Sequence, residues 1–370
     1  LIENAPTDTP RYDHTDDGCP NLLLENTAIN LALFSITFSN AAYWIPQGMT
    51  SITGGQISPH LNYPTSAFRF MEDATAGGAH YLYTVPISVT SGYIRFITFI
   101  KKGSCSKIAL REDSATGNYV SVDLDILTVL DSSSATMEMV EIAGGYVKLM
   151  FQTNTTTTNI RCAIYMLSDS YTSGDPATAY TSTNRYIDVF GFNLVNNSMS
   201  TSFIYEGTEG SVVTRYKDIV NSTSMSSNID TLNGWFMLDL KALANDLSYR
   251  TFMISDGTTV NKIGFYYSVA SNSIVFFYRA SSVNVYSQSL TLTDITTYNK
   301  ILFAYSNQNF RVFYENAKQN EQLSGSVSSF IASDLEFNDN INIEYMEAYI
   351  KEFKLGNYII TDEEALSKIS

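Results

Sequence analysis

The segment GYIRFITFIKKG (Gly92–Gly103) indicates the fold class most directly. As an extended strand it is apolar on both faces, with Ile94, Phe96 and Ile100 on one face and Tyr93, Ile97 and Phe99 on the other. A strand that is apolar on both faces is typical of the covered centre of a sheet. We therefore predict a central strand here, in a sheet that has other parts of the protein packed against each side.

Short apolar runs recur on both sides of this segment, with turn-forming residues between them. In GYVKLMFQ (Gly145–Gln152) the apolar positions alternate, so Val147, Leu149 and Phe151 are expected to face one way. A second series contains GWFMLDL (Gly234–Leu240), KIGFYYSV (Lys262–Val269), SIVFFYRA (Ser273–Ala280), KILFAY (Lys300–Tyr305) and FRVFYE (Phe310–Glu315). We expect Ser306–Asn309 to join the last two runs as a four-residue hairpin loop. Many short strands with little helix indicate antiparallel sandwiches.

The composition supports the same class, because 13% of the residues are aromatic and only 16% are charged, against about 25% charged in average domains. The sequence predicts an all-β protein with two antiparallel β-sandwich (jelly-roll) domains in series and a short C-terminal helix. The predicted boundaries are an extended N-terminal arm (residues 1–21), a jelly roll (22–212), a linker (213–221) and a second sandwich (222–370). The helix is expected in TDEEALSKIS, where Thr361 and Glu364 have the spacing of a capping box.

The formal net charge of −15 argues against nucleic acid as a partner, since phosphate binding requires a basic face. No run of about 18 apolar residues occurs, so we expect no insertion into a membrane. Cys19, Cys105 and Cys162 are widely spaced and form no CxxC motif. One disulfide or buried thiols are both compatible with this count, and we favour buried thiols. No cysteine–histidine spacing suits zinc.

Motifs for catalysis are weak. Asp123 and Asp125 are two residues apart on one predicted strand, but glycoside hydrolysis requires two carboxylates that face each other across the bond. No GxSxG elbow lies near a histidine, and no glycine-rich phosphate loop opens a helix. We therefore predict that the chain is not an enzyme and needs no cofactor.

Aromatic side chains that can stack on sugar rings are the best binding candidates: Tyr266, Tyr278, Trp44 and Tyr43. Each aromatic residue is more often a core residue, because such rings contribute strongly to core packing. Of the four, we expect Tyr266 and Tyr278 to face outward, while Trp44, like the chain's other tryptophan Trp235, is better suited to packing.

The N-terminal half resembles a family of bacteriophage tail fibre and tail spike proteins. The matching residues are Pro10-Arg11-Tyr12-Asp13, Gly18-Cys19-Pro20, Leu22-Leu23-Leu24-Glu25, Asn30-Leu31, Phe38-Ser39-Asn40 and Trp44. SGYIRFITFIKKG and DVFGFNLVNNSMSTSFIYEGTEGSVVTRYKD (Asp188–Asp218) continue the resemblance, which covers most of residues 9–218. It implies a jelly roll similar to carbohydrate-binding modules, with the arm packed along this sandwich and Leu22–Leu24 as its first strand.

The C-terminal half resembles the laminin-G-like, concanavalin-A-like sandwich that often follows in such phage proteins. GWFMLDL, the hairpin ILFAYSNQNFRVFYENA and the closing YIITDEEALSKI carry this resemblance. Two departures stand out. Asn316-Ala317 replaces the usual Asn-Gly, which changes the expected turn type, and FNLVNNSMSTSF lacks the acids that could carry a cation in the family.

The resemblance implies a non-catalytic virion appendage, such as a tail or head fibre, on the surface of the extracellular particle. Its implied partners are a host cell-surface glycan and other virion structural proteins, and its implied assembly is a homotrimer. A Ca²⁺ ion would suit an acidic jelly roll, but its ligands cannot be assigned from the sequence, and any metal site is unknown. Two alternatives stay open: a structural adaptor or decoration protein of the virion without glycan binding, and a secreted bacterial polysaccharide-binding protein.

Overall fold

The computed structural model describes residues 12–13, 21–25, 27–60, 64–74, 77–114, 117–196, 203–204, 210–215, 221–222, 229–307, 309–323, 329–337 and 346–370. The chain divides into two compact units. We call Ala28–Arg215 the first sandwich, and Leu1–Thr27 together with Tyr216–Ser370 the second sandwich.

The elements follow one another in chain order as β1 (Tyr12–Asp13), β2 (Asn21–Leu24), β3 (Ala28–Asn30), β4 (Trp44–Gln47), β5 (Met49–Gln56), β6 (Ala67–Glu72), β7 (His80–Thr84), β8 (Ile87–Ser88), β9 (Gly92–Lys102), β10 (Lys107–Glu112), β11 (Tyr119–Asp123), β12 (Thr128–Ser133), β13 (Ala135–Ile142), β14 (Tyr146–Thr155), β15 (Asn159–Ile160), β16 (Cys162–Met166), β17 (Tyr186–Val195), β18 (Val213–Arg215), β19 (Asn221–Ser222), β20 (Gly234–Ala242), β21 (Arg250–Ser255), β22 (Lys262–Tyr267), β23 (Ser273–Ala280), β24 (Val283–Thr291), β25 (Asn299–Ser306), β26 (Asn309–Tyr314), β27 (Ala317–Leu323), β28 (Asp334–Glu336), β29 (Ala348–Gly356) and α1 (Asp362–Ile369). A 3-10 turn (Ala143–Gly145) precedes β14. The all-β prediction with one short C-terminal helix is confirmed.

The first sandwich packs two six-stranded antiparallel sheets against each other. One sheet has the strand order β12–β11–β10–β16–β7–β4, and the other has the order β13–β14–β9–β17–β6–β5. Apolar side chains of both sheets share one core. In this core Phe96 and Phe151 stack with ring centroids 4.7 Å apart, and Leu110 and Ile164 of the opposite sheet are fully buried.

Strand β9 lies between β14 and β17, as its apolar pattern predicts. Its inward side chains enter the core, whereas Ile97 and Phe99 on the outward face pack with Phe190 and Phe203 in a second apolar cluster. Because both faces of the strand are covered, its odd-numbered and its even-numbered positions are both apolar. Tyr93, at the end of the strand, is exposed.

The second sandwich also packs two antiparallel sheets around one core. One has the order β1–β2–β29–β20–β25–β26–β27, and the other has the order β19–β28–β21–β22–β23–β24. Helix α1 covers the outer face of the first of these sheets, where Ala365 and Ile369 pack with Trp235, Met237 and Leu302. None of the described helices is long and apolar enough to cross a membrane.

The helix start confirms half of the predicted capping box. The hydroxyl of Thr361 accepts a hydrogen bond from the backbone N–H of Glu364 at 3.1 Å. The carboxylate of Glu364 instead accepts a hydrogen bond from the hydroxyl of Tyr358. Acidic residues in the first turn also interact favourably with the helix dipole.

The predicted hairpin is present, but its loop is shorter than expected. Ser306, the last residue of β25, pairs with Asn309, the first residue of β26. At the next turn Glu315 and Asn316 both have positive φ angles, of 50° and 56°. Two positive φ angles between paired strands are typical of the primed hairpin turns, and asparagine tolerates this conformation well.

Leu22–Leu24 are not the first strand of the first sandwich. They lie in β2, which pairs with β29 of the second sandwich through Leu22–Ile350 and Leu24–Ala348, and Leu24 packs in the second core. An apolar run shows that a strand must be buried, but it does not show which distant strand it will pair with. The predicted packing of the arm falls on residues that lie largely outside the described ones.

Cys105 and Cys162 are buried free thiols, as favoured from the sequence. Burial raises the pKa of the Cys105 thiol to about 12 and also raises the pKa of Cys162. Both side chains therefore act as small apolar core residues. Cys19 lies outside the described residues.

We expect Leu24→Ala to destabilise the second sandwich and leave the first unchanged. The change opens a cavity in a packed core, which costs about 2–5 kcal/mol. Trp44 lies in the first sandwich and Trp235 in the second, and the chain has no other tryptophan. Urea unfolding followed by tryptophan fluorescence in Trp44→Phe and Trp235→Phe backgrounds therefore reports each unit separately.

Leu194→Ala, in the first core, is the matched control and should shift only the Trp44 signal. A shift of the Trp44 signal alone by Leu24→Ala would contradict the placement of β2.

Candidate functional site

Two of the four predicted binding residues, Tyr43 and Trp44, lie in the core of the first sandwich. Trp44 is 0% exposed, and its ring packs edge-on against Phe192. Its Nε1 donates a hydrogen bond to the carbonyl of Phe34 at 3.1 Å, and the hydroxyl of Tyr43 accepts one from the backbone N–H of Leu33 at 3.3 Å. Neither ring can therefore present a face to a ligand.

Tyr278 also points inward, which contradicts the predicted outward orientation. It is 1% exposed, packs against Phe310 with centroids 5.3 Å apart, and its hydroxyl donates to the carbonyl of Thr231 at 2.8 Å. The run SIVFFYRA has apolar residues at both its odd-numbered and its even-numbered positions. Alternation alone therefore does not show which of these two sets of side chains faces the core. Tyr266, on the neighbouring strand β22, is half-buried and lies on the opposite face of the sheet from Tyr278. Its ring lies beside those of Tyr249 and Phe277.

A different set of tyrosines comes together on the outer face of the first sandwich. Tyr81 and Tyr83 alternate with buried residues along β7, and Tyr165 of β16 lies directly opposite Tyr81. The rings of Tyr81 and Tyr165 stack at 4.5 Å with 17° between their planes, and the Tyr83 ring lies 5.5 Å from that of Tyr81. We call this region the tyrosine face, which comprises Tyr81, Tyr83, Tyr165, Arg111 and Arg161.

Two small residues form the floor of the tyrosine face. Ala163 lies between Tyr83 and Arg111 on the neighbouring strands, and Ala109 lies opposite Tyr165. Both alanines are buried beneath these larger neighbours. Their small side chains leave room for longer ones to lean across the sheet, and the Arg111 guanidinium accordingly lies 5.9 Å from the centroid of the Tyr165 ring.

Carboxylates hold Arg111 in place on one side of the face. Its Nη1 lies 2.8 Å from Asp175 and its Nε lies 3.4 Å from Asp113. Burial raises the pKa of Tyr81 and that of Tyr165. Both hydroxyls therefore remain protonated at neutral pH and can donate hydrogen bonds.

The segment after β16 borders the tyrosine face and is tied to the neighbouring strands β11 and β12 by hydrogen bonds. The hydroxyl of Tyr171 contacts Ser121 at 2.9 Å and donates to the carbonyl of Gly174 at 2.6 Å. Asp131 accepts from the hydroxyl of Tyr119 at 2.8 Å and from the N–H of Gly174 at 2.7 Å. Desolvation and this bond to Asp131 raise the pKa of Tyr119 to about 12, and the Gly174 N–H lowers the pKa of Asp131.

A buried ion pair fixes the other end of the same segment. Glu72 is 0% exposed and Arg185 is 6% exposed. Arg185 donates from Nη2 and Nε to the two carboxylate oxygens of Glu72, at 2.8 and 3.1 Å, and from Nη2 to the carbonyl of Leu167 at 2.8 Å. Tyr180 and Ser182 donate their hydroxyl hydrogens to the same carboxylate. Glu72 is thereby saturated with donors and serves to hold the segment.

The chemistry that this arrangement supports is binding. It offers the half-buried rings and hydroxyls of Tyr81 and Tyr83, together with guanidinium groups and with carboxylates whose positions are set by ion pairs. Tyr165 is only 2% exposed and supports the ring of Tyr81 from the neighbouring strand. Within the described ranges, no group of three or more His, Cys, Asp or Glu side chains is placed to hold a metal ion. Asp123 and Asp125 form a turn, in which Asp123 accepts from the N–H of Asp125 at 2.9 Å and Asp125 pairs with Lys102.

No protein-family model matches the chain, and no curated protein matches it. A carbohydrate-binding module (CBM40) of a Ruminococcus gnavus sialidase, bound to α2,6-sialyllactose, is similar at 11% identity and a TM-score of 0.33, covering 42% of this chain and 97% of that one.

Two further solved structures show a comparable likeness. A toad ovary galectin in complex with thio-digalactose is 10% identical, with a TM-score of 0.27, over 37% of this chain and 97% of its own. Mouse laminin α1 domains LG4-5 are 7% identical, with a TM-score of 0.30, over 76% of this chain and 86% of their own. Likenesses of this strength assign neither a family nor a function.

We expect Glu72→Gln to destabilise the first sandwich by about 3 kcal/mol, because it leaves the Arg185 guanidinium buried without its counter-charge. Urea unfolding followed through Trp44 fluorescence in a Trp235→Phe background measures the change. Asp125→Asn removes the carboxylate of an exposed pair and is the matched control, with an expected change below about 1 kcal/mol. Equal small changes for both variants would show that Glu72 does not anchor the segment.

Proposed function

We propose that the chain is a non-catalytic glycan-binding protein and that the tyrosine face is its binding site. The observation that carries this proposal is the pair of half-buried rings of Tyr81 and Tyr83 beside Arg111 on one outer sheet face, with the buried ring of Tyr165 stacked against Tyr81. A sugar ring has an apolar C–H face and a rim of hydroxyls. A binding site for it therefore needs flat apolar surface together with fixed donors and acceptors.

The polar groups around the rings meet the second requirement. Arg111 is held by Asp175 and Asp113, so its remaining N–H groups and the free carboxylate lone pairs have fixed directions. Groups that are already ordered lose less conformational entropy when a ligand binds. Since the carboxylates near the rings are engaged with arginine, binding without bond cleavage is the function that this geometry favours.

We further propose that the chain is part of a phage virion appendage, exposed on the particle surface and assembled as a homotrimer with other virion proteins. The resemblance of residues 9–218 to tail fibre and tail spike proteins supports this placement. A bound Ca²⁺ belongs to the same proposal and has no assigned ligands.

Immunogold labelling of purified particles with an antibody against this chain tests the location, and sedimentation equilibrium tests the trimer. Unlabelled particles would favour a secreted polysaccharide-binding protein.

A glycan array tests the binding proposal. We expect the purified chain to bind selected glycans, and the double variant Tyr81→Ala, Tyr83→Ala to bind them at least about tenfold more weakly, because the stacking surface is lost. Both rings are only half-buried, so the variant is expected to fold, which circular dichroism checks.

Tyr93→Ala removes an exposed tyrosine from the opposite sheet of the same sandwich and is the matched control, with no expected loss. Tyr266→Ala tests the outward tyrosine of the second sandwich. Selective binding that only Tyr266→Ala abolishes would place the site in the second sandwich. No binding by the folded chain, even when displayed multivalently, would favour a structural adaptor.

A further inference from the structure

We propose, on the basis of the glycan-binding function above, that the tyrosine face selects sugars that carry a carboxylate, and that Arg161 binds this group. Arg161 lies immediately before β16, next to the strand that carries Tyr165. Its side chain is exposed, and its guanidinium carbon lies 5.6 Å from the centroid of the Tyr83 ring.

The two arginines of the face have different electrostatic surroundings. Arg111 is paired with two carboxylates, Asp113 and Asp175, which offset its charge. Among the residues that the structure describes, no carboxylate forms an ion pair with Arg161. Arg161 is therefore the cation on this face whose charge is left for a ligand.

The charged groups are distributed unevenly across the tyrosine face. Strand β16 has β10 on one side and β7 on the other. Arg111 and Asp113 lie on the β10 side, whereas Arg161 leans over Tyr83 of β7. A sugar stacked on the Tyr81 and Tyr83 rings would place a ring substituent beside Arg161. Asp113 follows β10 and its N–H donates to the carbonyl of Arg161 at 2.7 Å, but its carboxylate pairs with Arg111.

A carboxylate fits this position better than a hydroxyl does. The guanidinium presents parallel N–H donors that match both oxygens of a carboxylate, and such charge-assisted bonds are stronger than neutral ones. The adjacent Tyr83 ring removes water from one side of the guanidinium, which strengthens the attraction to a negative group. The inferred ligand class is therefore a glycan whose sugars carry a carboxylate, and a hexuronic-acid polymer supplies this group for the test.

The test compares one polysaccharide with its own neutral form. The probes are oligosaccharides of a hexuronic-acid polymer and the same oligosaccharides after reduction of each carboxyl group to a hydroxyl, measured by isothermal titration calorimetry with the full chain. We expect the acidic form to bind at least about tenfold more tightly, and Arg161→Gln to remove this preference. Lys148→Gln lowers the net charge equally from the opposite sheet and should leave the preference intact. Added salt should weaken binding of the acidic form only.

The outcomes separate this inference from the glycan-binding proposal. Equal binding of both forms, lost in Tyr81→Ala, Tyr83→Ala but unchanged in Arg161→Gln, would overturn the selectivity and leave glycan binding in place. Binding of neither form, together with a negative glycan array, would overturn both proposals. An equal loss of preference in Lys148→Gln would show that overall charge is responsible and would also overturn the role of Arg161.

Discussion

The tyrosine face depends on the register between β16 and its neighbours, because side chains alternate between the two faces of a strand. A slip of one residue would turn Tyr165 toward the core between the two sheets and move Ile164 to the outer face of its sheet. The core prevents such a slip, since Ile164 pairs with both Leu82 and Leu110, and all three pack in one apolar layer. The packing that stabilises the first sandwich thus also determines which residues are available to a ligand.

Buried ion pairs add a second level of positional control. Arg185 pairs with Glu72 in the first sandwich, and Arg250 pairs with Glu347 in the second at 3.3 Å. Desolvation offsets much of the attraction in such pairs, so their main effect is to disfavour other arrangements of the chain around them. In the first sandwich this effect reaches the binding region, because Arg185 also holds the carbonyl of Leu167 at the start of the segment that carries Asp175.

The candidate site could have been found in the sequence only in part. In HYLYT, Leu82 is flanked by Tyr81 and Tyr83, and this alternation favours an inward leucine with two outward tyrosines. This alternation is a weaker indication of a binding surface than the longer aromatic runs in the second half of the sequence. The prediction for Tyr278 is wrong, because apolar residues occupy both faces of its strand. Only the packing of the two sheets decides which of these faces is inward. Trp44 and Tyr43 are binding candidates by residue type alone, and residue type does not separate a core ring from an exposed one.

The sequence by itself determined the fold class, the central position of β9 and the start of the terminal helix. These features depend on local periodicity and on contacts between residues close in the chain, which a single sequence records directly. Only the tertiary structure decided that Leu22–Leu24 pair with β29, and that Tyr81, Arg111 and Tyr165 meet on one face. Such contacts join strands far apart in sequence, and they depend on the burial of whole sheets, which no local pattern encodes.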